Sequence, residues 1–218
     1  MGLNEILSVT LQKLVPSYKR NLGKAVALHG IVIEQRFAWL LKGSKKNTIA
    51  IDIGAYIGDT AIYFASFGNV KRVYAYEPYR SLYEHAAKNI KISKLSHKIR
   101  LFNMGVGDVN STYNIRDNGD IGSEFKDLGV GTAVKSISLN AVLKDKKNVI
   151  IKSNSEGSEH RIFTESSNLN NVYRIHIAYH YGMQKLPEIL RSKGFKVRVW
   201  EEGNDAAKGK VGTIYARR

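Results

Sequence analysis

The sequence predicts an α/β protein built on a doubly wound, mostly parallel sheet. Three observations predict it. From residue 48 onward, β-branched strand segments alternate with helical segments, and strands joined through helices run parallel with both sheet faces covered. A glycine turn from Gly54 to Gly58 joins the first strand to the first helix. The last two strand segments follow one another with no helix between them, which predicts a terminal antiparallel pair.

Taken in order, "TIAIDIG" (48–54) reads as the first strand and "DTAIYFASFG" as a helix that buries Ile62, Phe64 and Ala65 and stops at Gly68. "RVYAYEP" (72–78) is the second strand, closed by Pro78. Ser81 stands where a cap would open the next helix, whose face uses Leu82, Ala86, Asn89 and Ile90. "KIRLFNMGVGD" (98–108) reads as a third strand running into a turn, and the glycine-punctuated stretch 109–137 as irregular loop or hairpin. Ser138 caps a short helix, "LNAVLKD". "NVIIKSN" (148–154) and "VYRIHIAYH" (172–180) are the fourth and fifth strands. "MQKLPEILRSKGF" is a helix ended by Gly194, and "KVRVWEE" and "GTIYAR" form the terminal pair. Residues 1–47 stand apart. "NEILSVTLQKLV" has helical spacing and stops before Pro16, and "AVALHGIVIEQRFAWLLKG" fits a hairpin or a second helix, so 1–47 is expected to be an N-terminal cap on a main domain of 48–218.

The 218 residues suit one domain with a sizeable core. Hydrophobic residues make up 43% and charged residues 24%, and no apolar run approaches the roughly 18 residues of a membrane span. The N-terminus lacks the regions of a secretory signal, and Ile6 breaks the myristoylation pattern, so the cytoplasm is the expected compartment. The absence of cysteine excludes disulfides, thiolate metal sites and a cysteine nucleophile. Lys and Arg total 34 against 19 Asp and Glu, a net +15. That charge admits nucleic acid, anionic lipid or phosphorylated sugars as partners, although scattered cations are most often simply a solvated surface.

In an open α/β sheet, ligands bind beyond the carboxyl ends of the strands, and the first strand-to-helix turn is the usual contact. A dinucleotide fold needs G-x-G-x-x-G there. Here the run is G-A-Y-I-G, with Tyr56 in place of the middle glycine, and no phosphate-binding G-x-x-x-x-G-K-[ST] occurs. A ligand with an amine, a carboxylate and a ribose but no phosphate fits best, with Asp52 facing the amine directly or through water; S-adenosylmethionine is such a ligand. Glu77 ends the second strand 19 residues after Gly58, the spacing at which an acid accepts hydrogen bonds from ribose hydroxyls. Pro78 and Tyr79 follow it, and the Tyr79 ring is placed to lie near adenine.

The segments "IDIGAYIGDTAIYFA", "VYAYEPYRSLYEHAAKNI", "MGVGD", "SISLNAVL", "IIKSNSEGSE" and "LPEILRSKGFKV" resemble, in order over residues 49 to about 199, the successive blocks of FkbM-type S-adenosylmethionine-dependent methyltransferases. The resemblance implies a class I methyltransferase fold, a seven-stranded sheet with its last strand antiparallel, and methyl transfer to a hydroxyl of a sugar, lipid or secondary metabolite. It implies that Asp52, Gly54 and Gly58 line the methionine end, that Glu77 holds the ribose, and that the turn at Met104 and Gly105 meets the adenine. Tyr56, within the glycine turn, joins that set.

Two positions depart from the family pattern. Where the fourth-strand block commonly reads K-I-D-V-E-G-x-E, this chain keeps Lys152, Glu156, Gly157 and Glu159 but carries Asn154 in place of the acid, and an amide takes up no proton as a base. Ala178 stands where the fifth strand usually has an acid, while His180 is kept. His180 is therefore the first expected general base and Glu156 the second, with Asn154 beside them. His176 and His180 share a strand face and would suit a metal pair, but the pattern offers no third carboxylate, so no metal is predicted. Two other readings stay open: an RNA or other nucleic-acid methyltransferase, favoured by charge but lacking the [DNS]-P-P-[YF] signature, and a catalytically decayed S-adenosylmethionine-binding protein, favoured by Asn154 and Ala178.

Overall fold

The computed structural model describes residues 36–115, 129, 131–166, 168–205 and 209–218. Along the chain these form a helix α1 whose described part is 36–41, then β1 (Thr48–Ile53), α2 (Asp59–Ala65), β2 (Val70–Tyr76), α3 (Arg80–Ile92) and β3 (Ile99–Phe102). There follow β4 (Gly105–Gly107), β5 (Ser111–Ile115), β6 (Thr132–Ser138), α4 (Leu139–Leu143), β7 (Val149–Ser153) and α5 (Glu159–Glu165). The chain finishes with β8 (Val172–Tyr179), α6 (Leu186–Ser192), β9 (Lys196–Asp205) and β10 (Gly209–Arg217).

Seven strands make one sheet in the order β3-β2-β1-β7-β8-β10-β9. Neighbours from β3 to β8 pair in parallel, and β10 runs antiparallel to both β8 and β9. The chain builds outward from β1 to β3, then crosses back and continues from β7 on the other side of β1. That reversal opens a crevice between the carboxyl ends of β1 and β7.

Strand alternation sends two sets of side chains to opposite faces. One face, with Ala50, Val73 and Ile150, packs under Phe37, Leu40 and Leu41 of α1, residues 61–65 of α2, and Ile90 of α3. The other, with Ile51, Ile151, Ile175 and Ile214, packs under Leu139 and Val142 of α4, Ile162 and Phe163 of α5, and Leu186 and Leu190 of α6. The parallel strands are buried on both sides, which is why they read as continuous apolar runs. Arg174 fixes α1 by donating from Nη1 to the carbonyls of Trp39, Leu40 and Lys42 at 2.9, 3.0 and 2.8 Å.

Three local expectations change, and for 109–137 the hairpin alternative is the one found. The 98–108 strand divides: Asn103 Nδ2 donates to the carbonyls of Glu77 and Pro78 at 3.0 and 2.9 Å, the chain bends there, and β4 leaves the main sheet to pair with β6. The 109–137 stretch contains a hairpin, β5 antiparallel to β6, with 116–128 and 130 outside the described residues. The α3 cap is Tyr79, not Ser81. Helix α5 was not expected: of its buried positions 159, 162 and 163, helically spaced, only the adjacent Ile162 and Phe163 are apolar, so the sequence shows no apolar stripe. Of the 1–47 segment, 1–35 lie outside the described residues, while 36–41 packs into the core.

The crevice leaves no room for a side chain at Gly54. Its φ is +71°, and a Cβ there would overlap the Asn154 carbonyl oxygen. Gly54→Ala should therefore cost several kcal/mol and lower the melting temperature by 10 °C or more on the scale of about 3 °C per kcal/mol for this size. Gly43→Ala, with open space around it, is the control in a thermal melt.

Candidate functional site

Every residue expected in the site lies at the carboxyl edge of the parallel strands or one residue inside it. After Ile53 the chain turns through Gly54, Tyr56 and Gly58 with φ of 71°, 51° and 83°. The amides of Gly54 and Ala55 both donate to the Tyr76 carbonyl, at 3.0 and 2.9 Å, and Asn154 N donates to Ile53 O at 3.0 Å. These bonds tie the turn to the ends of β2 and β7. Asn89 Nδ2 donates to Ile57 O at 2.8 Å, and Gly58 sits against Ala86 of α3, where a Cβ would press at 3.2 Å. Tyr56 holds a left-handed conformation despite its side chain, a strain that persists only where neighbours impose it and that clusters at functional turns.

Beneath the turn lies a buried ion pair. Asp52 is fully buried, and Lys152, its register partner on β7, brings Nζ to 2.9 Å from Oδ1. The same ammonium donates to the Gly54 carbonyl at 2.6 Å and to that of Ile53 at 3.4 Å. Burial pushes the Asp52 carboxyl upward and Lys152 opposes that shift. The Asp52 side chain thus faces the lysine inside the sheet, with none of its surface exposed.

Glu77 continues β2 and is 3% exposed. Its Oε2 accepts from Tyr56 N at 2.7 Å and its Oε1 from Tyr79 N at 3.1 Å. Each oxygen of a carboxylate accepts two hydrogen bonds, so one site per oxygen remains for a further donor such as a hydroxyl. Burial raises its pKa from the ordinary 4.5 to about 7, against the lowering effect of the two amides and of Lys152. Pro78 is buried beside it. The Tyr79 ring, 6% exposed, packs with Tyr113, Ile115 and Val134 on the small sheet. Met104 and Gly105 lie where β3 gives way to β4, Met104 half-buried against the core.

On the far side of the crevice, His180 follows β8 and lies between two carboxylates. Its Nδ1 is 3.2 Å from Glu159 Oε1, and its Nε2 is 3.4 Å from Glu156 Oε2. Glu159 opens α5 and is held by Ser155 N and Gly157 N, both at 2.9 Å. Asn154 Nδ2 is 3.4 Å from Glu156 Oε1, and Glu156 has φ +52°. The structure therefore brings His180, Glu156 and Asn154 together, and adds Glu159, which the sequence reading named as a kept position of the fourth-strand block but gave no role. Its place beside His180 was not visible there, because the helix it opens was not foreseen. Lys152 was equally missed as the partner of Asp52, although each stands two residues before the end of its strand segment. His176 goes elsewhere. It is enclosed by Phe37, Trp39 and Tyr215 at ring distances of 4.6, 6.3 and 5.2 Å, and burial holds its pKa down to about 3. Among the described residues no group of three or more His, Asp or Glu is placed to hold a metal ion.

This sheet order, with a glycine turn after the first strand and a buried acid ending the second, defines a class I methyltransferase fold. Solved structures share it. The chain is similar to M. capricolum TrmK in complex with S-adenosyl-homocysteine, at 15% identity over 84% of this chain and 67% of that one, TM-score 0.53. It is similar to the FkbM methyltransferase from Methylobacillus flagellatus KT, at 13% identity over 91% of this chain and 57% of that one, TM-score 0.53. Sp1610 of Streptococcus pneumoniae in complex with S-adenosyl-L-methionine matches at 17% identity over 84% and 72%, TM-score 0.51. No curated protein matches the chain. Residues 52–200 match the family described as Methyltransferase FkbM domain. The chain belongs to the FkbM methyltransferase family, and its cofactor is S-adenosylmethionine.

The crevice suits that cofactor chemically: Glu77 retains acceptor sites that two ribose hydroxyls can fill, and the glycine turn presents backbone without side chains. Ionised Glu77 accepts both hydroxyls, whereas a protonated one loses an acceptor. Affinity for S-adenosylhomocysteine is therefore expected to rise from about pH 6 to about pH 8, across the Glu77 titration near pH 7. Glu77→Gln should weaken binding about 10- to 100-fold and flatten this profile in calorimetric titration. In the free protein the sign is opposite: the raised pKa gives stability that is full below pH 4.5 and lost as pH rises through about 7, worth about 3 kcal/mol. Lys152→Ala, which strands Asp52, should cost about 3–5 kcal/mol in denaturant unfolding, and Asp52→Asn combined with Lys152→Met should recover most of it.

Proposed function

We propose that the protein transfers the cofactor's methyl group to a hydroxyl oxygen of a small-molecule, glycan or lipid acceptor, with His180 as the base. The observation that carries this reading is the His180 imidazole set between Glu159 and Glu156 at the mouth of the crevice. Glu159 is 2% exposed at its side chain and pinned by two backbone amides, so it is the fixed acceptor for Nδ1–H. That leaves the lone pair of the neutral ring on Nε2. Glu156, less buried at 16%, faces the same nitrogen and can yield to an incoming hydroxyl.

Bound S-adenosylmethionine supplies a methyl already activated on a sulfonium. The chain's residues then have two tasks. Holding the acceptor oxygen in line with the methyl is worth roughly 7–11 kcal/mol at best. Taking the hydroxyl proton onto Nε2 as the new oxygen–carbon bond forms and the sulfur–carbon bond breaks adds on the order of 10²- to 10⁴-fold. The resulting imidazolium is balanced by Glu159 and Glu156. The carboxylates for this chemistry come from positions 156 and 159, so Asn154 need not supply one. Residues 1–47 and the 109–137 stretch are the segments proposed to shape the acceptor pocket.

Label from radiolabelled S-adenosylmethionine, offered with fractionated cell extract, is expected in an alkali-stable methyl ether of a glycan, lipid or small molecule. His180→Ala should lower turnover about 10²- to 10⁴-fold while cofactor affinity stays within about twofold. Wild-type protein that binds cofactor tightly but labels no fraction would sink the reading.

A further inference from the structure

A groove of about 790 Å³ runs along the outer strand of the main sheet, on the face that carries α1. Strand β9 supplies its floor with Lys196, Arg198 and Trp200, all exposed, alternating with the half-buried Val197 and Val199. Arg217, the register partner of Lys196, adds a cation at one end. Tyr215 and Trp39 form the inner wall, their rings 5.2 Å apart edge to face. Trp200 is 66% exposed, the largest exposure of any large apolar side chain among the described residues.

Cations on an edge strand have a bland role, since they deter pairing with another sheet. An exposed indole among them does the opposite, because it offers apolar surface at the edge. It calls for a ligand with a flat face. The groove's upper end also reaches the catalytic edge. Thr213, paired with Trp200, adjoins Gly212, which pairs with Tyr179, the residue before His180. There Thr213 Oγ1 and Arg36 both bond Glu202, at 2.8 Å, which fixes α1 against β9.

We propose that this groove binds single-stranded nucleic acid, with backbone phosphates on Lys196, Arg198 and Arg217 and a base stacked on Trp200. Residues two apart on a strand lie about 6.6 Å apart, which matches the step between phosphates of an extended strand and so suits Lys196 and Arg198 to successive ones. Stacking on aromatics combined with a cationic track is how single strands are held without sequence preference. The net +15 of the chain adds long-range attraction. An anionic glycan would share the charge but needs acceptors for its hydroxyls, and among the described residues lining the groove none is an acid, an amide or a Ser or Thr. The inference is independent of the acceptor proposed above.

The test is fluorescence anisotropy of a fluorescein-labelled oligouridylate with the full chain over a salt series. Binding is expected to weaken linearly in log–log form, with a slope of about −0.7 for each phosphate neutralised. Trp200→Ala should weaken binding about 5- to 100-fold without changing the slope, and Lys196→Ser with Arg198→Ser should make the slope shallower by about 1.4. Lys144→Ser with Lys147→Ser, which removes equal charge elsewhere, should leave the slope unchanged. Melting temperature and S-adenosylhomocysteine affinity, read in parallel, report that each variant is folded. Equal loss from the groove and control pairs would reduce the effect to net charge and overturn the proposal. So would a heparin fragment that binds where oligouridylate does not, or a Trp200→Ala variant that melts lower yet binds oligouridylate as before.

Discussion

The contact on which the site depends is the buried meeting of Lys152 with Asp52. Two adjacent parallel strands carry opposite charges at matched positions, each inside an otherwise apolar run. Burying either alone would cost several kcal/mol; together they offset one another only because the ammonium has further acceptors in the carbonyls of Ile53 and Gly54. Those carbonyls belong to the turn that opens the crevice. The ion pair therefore does more than neutralise charge: it locks the end of β1 to β7 at the point where the sheet order reverses.

The other groups take their positions from that lock. With the turn fixed, Tyr56 N–H points at Glu77, and the carboxylate is oriented before any ligand arrives. Such preorganisation lowers the ordering cost of binding. Its cost is visible in Glu77 itself, whose burial lifts its pKa to about 7. On the other flank, the Asn154 carbonyl nests where Gly54 lacks a Cβ, and the chain continues through Glu156 and Gly157 into α5. That short helix is what places Glu159 under His180. The surroundings of Glu77 and those of His180 are thus two ends of one crossing between β1 and β7.

Sharing a strand face does not make two histidines a pair. His176 lies within the sheet beneath α1, enclosed by aromatic rings and held neutral by burial. His180, just past the strand end, has left that enclosure for the crevice rim. The same strand thus supplies a core residue and a candidate base.

Much of this was legible in the sequence. The alternation of strand and helix, the glycine turn, the acid ending the second strand and the terminal antiparallel pair follow from local periodicity and turn chemistry, which act over a few residues and leave their mark in order along the chain. Asp52, Gly54, Gly58 and Glu77 could be picked out for the same reason, and His180 through the resemblance of the fifth strand to the family pattern. Tertiary structure alone decided that Lys152 faces Asp52, that Glu159 completes the surroundings of His180, and that the Tyr79 ring turns into the small sheet. These depend on register between strands about a hundred residues apart and on a helix too short to show its period. Pairing across a sheet is settled by packing of the whole core, and no local stretch of sequence carries it.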